Sequence, residues 1–202
     1  MILHNLCVQS QQQTHNTVQL FDFDGVLASP LEEALFQMPI GPHDVAFIAK
    51  MASRHTLDLS QEKITSARYI CIQAALYDAG IPIQPGPCID SIGTRPFHII
   101  TARSDRFAVA RMYDFIEDNM LDNKPIKTLH VDHLPKGQII QVLLDRHPDT
   151  RYVFWDDSPG HVTSARMLRN PRLDVFHVVN DMKDFYTEAE SFYRKTILEL
   201  AL

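Results

Sequence analysis

At 202 residues, 45% of them hydrophobic, the chain can bury one sizeable core, and its net charge of −6 gives no global pull toward nucleic acid or an anionic membrane. Three cysteines, Cys7, Cys71 and Cys88, are too few and too unpatterned for a disulfide framework, which favours a reducing compartment. No run approaches the roughly 18 apolar residues of a membrane span, and the Gln-rich head lacks a basic n-region, so we expect a cytoplasmic protein with a loose tail over 1–16 and signal-less export left open.

In chain order, Thr17-Val18-Gln19-Leu20-Phe21 predicts a short buried strand. Residues 31–54 read as helix, interrupted at Pro39-Ile40-Gly41-Pro42. A second helix, capped by Asp58 or Ser60, carries an apolar stripe from Ile64 to Leu76 and stops at Gly80. The Pro-rich run 81–88 is a connection, which makes 28–94 a mostly helical insertion between two strands.

Pro96 to Ile100 predicts the second strand, followed by a helix capped at Ser104 or Asp105. A third strand is expected over 127–132, a helix over 136–146, and a fourth strand over 151–155. Ser158 is the expected cap of a helix reaching about Leu168, with a fifth strand over 173–179. From Met182 the chain reads as an amphipathic helix packing on the sheet. Alternation of strands and helices argues for an α/β fold with a parallel sheet and helices on both faces.

Polar residues collect where such folds bind ligands, beyond the carboxyl ends of the strands. Asp22 and Asp24 follow the first strand, Thr101 the second, and Asp156 and Asp157 the fourth, with Lys136 shortly after the third. Crowding carboxylates at a strand end costs several kcal/mol unless a cation or a hydrogen-bond shell compensates. Taken singly, Thr101 reads as a helix cap and Lys136 as a surface residue; their place in the set reverses that.

Phe-Asp-Phe-Asp-Gly-Val-Leu at 21–27, Ile-Ile-Thr at 99–101, Pro-Lys-Gly at 135–137 and Val-Phe-Trp-Asp-Asp at 153–157 together resemble the four ordered motifs of the haloacid dehalogenase superfamily. The resemblance spans roughly 17–180 and implies a Rossmann-like three-layer core, 17–27 with 95–202, and a small helical cap over 28–94. It implies a Mg²⁺-dependent phosphatase. Asp22 is the expected nucleophile, forming an aspartyl-phosphate, and Asp24 the general acid and then base. Aspartate at this second position is the feature that favours phosphatase over dehalogenase or transport ATPase.

By the same resemblance, Mg²⁺ would be held by Asp22, the backbone carbonyl of Asp24, Asp156 and Asp157, the last directly or through water. Thr101 would donate to a phosphoryl oxygen, and Lys136 would hold Asp22 ionised. Ala102 and Arg103, and further out Arg106, lie where they could touch substrate; for the arginines surface placement is an equal alternative. His130 and His133, with Asp132 between them, lack the helical spacing of a zinc site, and His161 reads as a helix residue.

The insertion after the first motif, with no room for a second one between Thr101 and Lys136, implies a cap that favours small phosphorylated substrates. Resemblance of 101–103 and 156–161 to nucleotidase-like members competes with resemblance to 3′-phosphatases of nucleic-acid repair, which the acidic balance disfavours. A non-catalytic binding protein would lack an acid or the lysine, and none is missing. A phosphotransferase or mutase would share every residue named.

Overall fold

The computed structural model describes residues 17–120, 122–131 and 134–199, so the expected tail over 1–16 and the residues Asp132 and His133 lie outside the described residues. Short runs of β-branched and aromatic residues form five strands, β1 (Thr17–Phe21), β2 (Phe97–Thr101), β3 (Lys127–His130), β4 (Arg151–Asp156) and β5 (Leu173–His177). All pair in parallel, in the order β3-β2-β1-β4-β5. The central strands are almost wholly buried, whereas β3 and β5 at the edges are only partly so. The more apolar runs therefore mark the middle of the sheet, with Gln19 and His98 buried among them, and the more polar runs its margins.

Register puts Phe21 beside Ile99 on one side and beside Trp155 on the other. The chain leaves β1 toward β2 and β3, then returns to lay β4 against the opposite edge of β1. Strand order thus reverses at β1 and β4, the place where open α/β sheets bind ligands.

Alternation along the strands sorts side chains to two faces. Leu20, Ile100, Tyr152 and Phe154 pack with Val131 and with Ile140, Leu144 and Ala165 of α5 (Lys136–Arg146) and α6 (Pro159–Arg166). The opposite face carries an aromatic row in which Phe21 meets Phe97 edge-on and stacks near Trp155, which stacks on Phe176 with centroids 4.3 Å apart. Gly137 lets α5 approach α6, because a Cβ there would lie 2.6 Å from the backbone oxygen of Ser164.

The chain divides into two compact units. The sheet unit comprises 17–29, 84–104 and 116–180; the helical unit comprises 30–83, 105–115 and 181–199. In the helical unit lie α1 (Leu31–Gln37), α2 (Pro42–His55), α3 (Ile64–Asp78) and α7 (Met182–Phe192), which runs on as a π turn over Tyr193–Leu198. The first part of α4 (Arg106–Asn119) joins them. Their shared core is Leu35, Phe47, Met51, Ile72, Leu76, Phe107, Ala189 and Ile197.

Local chemistry accounts for most helix boundaries. Pro42 opens α2 at its first position, and Asp44 Oδ2 accepts the Gly41 N–H at 2.7 Å. Asp105 Oδ1 accepts from the N–H groups of Phe107 and Ala108, which makes it the cap of α4. Two expected caps do not form. Asp58 binds Ser60 in a turn and α3 starts at Ile64; the Ser158 side chain makes no cap bond, and its N–H instead donates to Asp156 Oδ1 at 2.8 Å. Both follow from short polar side chains preferring the nearest backbone or carboxylate partner.

A further difference concerns α7. Its apolar stripe predicts a place on the sheet, yet Ala189, Tyr193 and Ile197 are buried in the helical core with α1, α2 and α3. An amphipathic pattern specifies that a face is covered, not by which element. No helix among the described residues is long and apolar enough to cross a membrane.

Candidate functional site

The carboxyl ends of β1 and β4 are joined by the backbone, the Asp22 N–H donating to the Trp155 carbonyl at 2.8 Å. That pairing sets Asp22 beside Asp156 and Asp157. One carboxylate oxygen from each of the three lies within 4.8 Å of the others. Asp156 is wholly buried and is the last residue of β4, where a strand ending one residue earlier is expected; Thr101, likewise fully buried, is the last residue of β2.

Lys136 opens α5 and is 1% exposed. Its Nζ donates to Asp22 Oδ1 at 2.7 Å and to Asp156 Oδ2 at 2.8 Å. The Phe23 N–H also donates to Asp22 Oδ1, at 2.6 Å. Both bonds fall on one oxygen, which leaves Oδ2 as the oxygen of Asp22 that can ligate or attack.

Gly25 explains how the turn after β1 passes so close to Asp157. Its φ is +69°, and a Cβ there would lie 1.9 Å from Asp157 Oδ2. Asn180, just past β5, donates Nδ2 to the Gly25 carbonyl at 2.9 Å and to Asp157 Oδ2 at 3.3 Å. His177 Nε2 lies 3.0 Å from the Asp157 carbonyl. Neither Asn180 nor His177 is singled out by the sequence analysis, although both stand at the end of a parallel strand as the other site residues do.

Arg103 is buried rather than on the surface. Its Nη2 donates to Asp24 Oδ1 at 2.6 Å and its Nε to Asp24 Oδ2 at 3.0 Å. Arg103 also contacts Thr101, whose Oγ1 accepts the Arg103 N–H at 3.1 Å. Ala102 between them is exposed. Arg106 belongs to the helical unit, where it is exposed and donates to the His55 carbonyl. His130 Nδ1 makes a 2.7 Å bond with the Arg103 carbonyl.

Electrostatics in the cluster are unbalanced. Burial raises the Asp22 pKa well above the usual carboxylate range; Lys136 opposes that, and Asp156, Asp157 and Asp24 add to it. Burial works against the Lys136 ammonium, but Asp22 and Asp156 outweigh it and move its pKa up, so the lysine stays charged. Burial and the nearby Lys136 move the His161 pKa down, partly offset by Asp156. Lys136 is shared between Asp22 and Asp156, and Asp157 crowds a third carboxylate against them. An all-oxygen donor set of this spacing, with charge in deficit, fits a hard divalent cation.

No family model and no curated protein matches the chain. Solved structures similar to it include a protein from Thermotoga maritima assigned as a beta-phosphoglucomutase, 20% identical, with 86% of this chain and 91% of that chain covered and a TM-score of 0.45. Another is a haloacid dehalogenase-like hydrolase from Burkholderia xenovorans, 14% identical, covering 94% and 100% of the two chains with a TM-score of 0.46. A third is a haloacid dehalogenase-like family hydrolase from Streptococcus pneumoniae, 15% identical, covering 86% and 90% with a TM-score of 0.44. In the order of its four motifs and in these solved neighbours alike, the chain is similar to the haloacid dehalogenase-like hydrolases.

Proposed function

We propose that the protein is a Mg²⁺-dependent phosphomonoester hydrolase acting through an aspartyl-phosphate on Asp22. The observation that carries this reading is the bridge of Lys136 Nζ between Asp22 and Asp156, with Asp157 alongside. Asp22, Asp156, Asp157 and the Asp24 carbonyl would hold Mg²⁺. When bound, the ion would supply the positive charge that lets an anionic phosphoryl group approach the acids.

Asp22 attacks phosphorus through Oδ2 while Lys136 fixes Oδ1, and the P–O bond to the substrate alcohol breaks. Asp24 gives its proton to the departing oxygen, and in the second half takes one from the water that attacks the aspartyl-phosphate, releasing phosphate and restoring Asp22. Thr101 Oγ1 donates to a phosphoryl oxygen, and Lys136 offsets charge that develops there. The substrate would be a small phosphorylated metabolite or nucleotide, with the segment 28–94 proposed as a cap from its place between the first two motifs. A nucleic-acid 3′-phosphatase is the alternative.

Hydrolysis of 4-nitrophenyl phosphate by the purified chain with Mg²⁺, lost in Asp22→Asn at unchanged circular dichroism, is the expected result. Turnover persisting in that variant would remove Asp22 as nucleophile. Transfer of the phosphoryl group to an added alcohol in place of phosphate release would identify a phosphotransferase.

A further inference from the structure

The two edges of the sheet are finished differently. Strand β3 is short, follows Pro125 and carries the exposed Lys127, features that blunt an edge against further pairing. Strand β5 carries neither proline nor lysine. The Tyr152 N–H donates to the Arg172 carbonyl and the Val178 N–H to the Asp156 carbonyl, so the even-numbered residues of β5 turn their backbone toward β4. Leu173, Val175 and His177 therefore turn theirs outward, where β5 is the last strand. The Asn170 carbonyl accepts the Leu173 N–H, and the Val175 carbonyl accepts weakly from Arg166 Nη2 at 3.5 Å.

Beside this edge the end of α6 and the turn after it border a cavity of about 290 Å³, lined by Ala165, Arg166, Arg169, Leu173, Val175 and Phe176 among others. Asp174 also borders it, but Arg151 holds both oxygens of that carboxylate. Arg172 is occupied by the carbonyls of Leu144, His147 and Thr150. Among the described residues, Arg166 and Arg169 have no carboxylate partner. Arg169 sits at φ +47°, a left-handed position in which chains leaving a helix usually place glycine. Two unbalanced cations thus flank an open strand edge, on a chain whose net charge is −6.

We infer that the outer edge of β5 is a docking strand for an extended acidic peptide of a partner protein, which adds to the sheet through the backbone of Val175 and His177 and sets its acids against Arg166 and Arg169. Backbone bonds to an open edge supply affinity in this mode, and contacts to alternate side chains supply specificity. Leu173 and Val175 pack on the α6 side of the sheet, while Phe176 stacks on Trp155 on the other. Acids therefore recur at every second position of the peptide, with apolar residues between them on the Phe176 side. A second copy of this chain is a poor occupant, because pairing β5 with β5 about a two-fold axis gathers four unbalanced cations in one groove. The inference is independent of the phosphatase reading.

The test is fluorescence anisotropy on the full chain with a labelled, capped heptapeptide of alternating glutamate and valine, at about 50 mM salt. Saturable binding is expected, with none for the lysine–valine counterpart. Joint Arg166→Glu and Arg169→Glu should weaken the glutamate peptide at least about 10-fold and let the lysine peptide bind. N-methylation of the alternate amides that face β5 should abolish binding, whereas N-methylation of the other set should change it less than about 2-fold. Val175→Pro removes an N–H that β4 does not use, and should abolish binding at unchanged circular dichroism. If that variant does not fold, the N-methylated peptides carry the backbone test.

No binding of the glutamate peptide, equal effects of the two N-methylated sets, or affinity unmoved by the charge reversal would overturn the inference. Displacement of the peptide by inorganic phosphate or oligothymidylate at equal ionic strength would overturn it too, by making the cavity a plain anion site. Dimers of the wild type that Val175→Pro dissolves would make a second copy the occupant and contradict it as well.

Discussion

Buried charge occurs in both units, and they balance it differently. In the helical unit Arg68 Nε pairs with Asp44 at 2.7 Å, with Tyr193 donating to the same carboxylate, and Arg111 pairs with Glu32 at 2.6 Å, with Gln73 bonded to both. Each acid there has its own cation and a neutral partner, although Arg68 Nη2 and Arg111 Nε are buried without a hydrogen bond. At the ends of β1 and β4, Asp22 and Asp156 share Lys136, with the Asp157 carboxylate beside them. A balanced network crosslinks α1, α2, α3, α4 and the end of α7 and asks nothing of a ligand. An acidic excess stays costly until something positive binds, which is why charge balance distinguishes scaffolding from a working site.

Substitutions sharpen the contrast. The largest effect is expected at Asp22→Asn, which should lower kcat by about 10⁴-fold or more if the carboxylate is the nucleophile, while leaving metal-free stability unchanged or raised; loss of both together would place Asp22 in the scaffold. Arg68→Ala should do the reverse, costing about 3–5 kcal/mol in denaturant unfolding by stranding Asp44. A loss below about 1 kcal/mol would mean that the helical network is no more than a surface arrangement.

A smaller effect concerns pH. With its pKa raised in the fold, Asp22 binds its proton more tightly folded than unfolded, so metal-free stability should fall as pH rises from about 4 through the raised value. Unfolding series in chelator should show that decline, and Asp22→Asn should flatten it. An unchanged slope in the variant would mean that Lys136 already balances the site.

Much of this is legible in the sequence. Strand ends carry their acids in the sequence itself, because the apolar stretches Leu20–Phe21 and Tyr152–Trp155 stop abruptly at Asp22 and Asp156. The boundaries slipped by one residue at Thr101 and Asp156, since hydroxyl and carboxylate side chains look like the end of a strand even where the backbone stays paired. The sequence leaves Arg103 between two readings because its partner lies 79 positions earlier in the chain, and nothing local to 101–105 announces it. Arg68 and Asp44 are hidden in the sequence for the same reason; a lone polar residue on an apolar helix face reads as exposed until its counter-ion is found. The placement of α7 turned on long-range packing, to which periodicity is blind.

Mg²⁺ binding tests the central contrast most directly. Adding millimolar Mg²⁺ to chelated protein should raise the melting temperature of the wild type by several degrees, about 2–4 °C for each kcal/mol of binding. Asp156→Asn should lose that rise, whereas Tyr193→Phe, which weakens only the helical network, should keep it. No rise in the wild type, or an equal rise in Asp156→Asn, would contradict the assignment of the acidic excess to a cation.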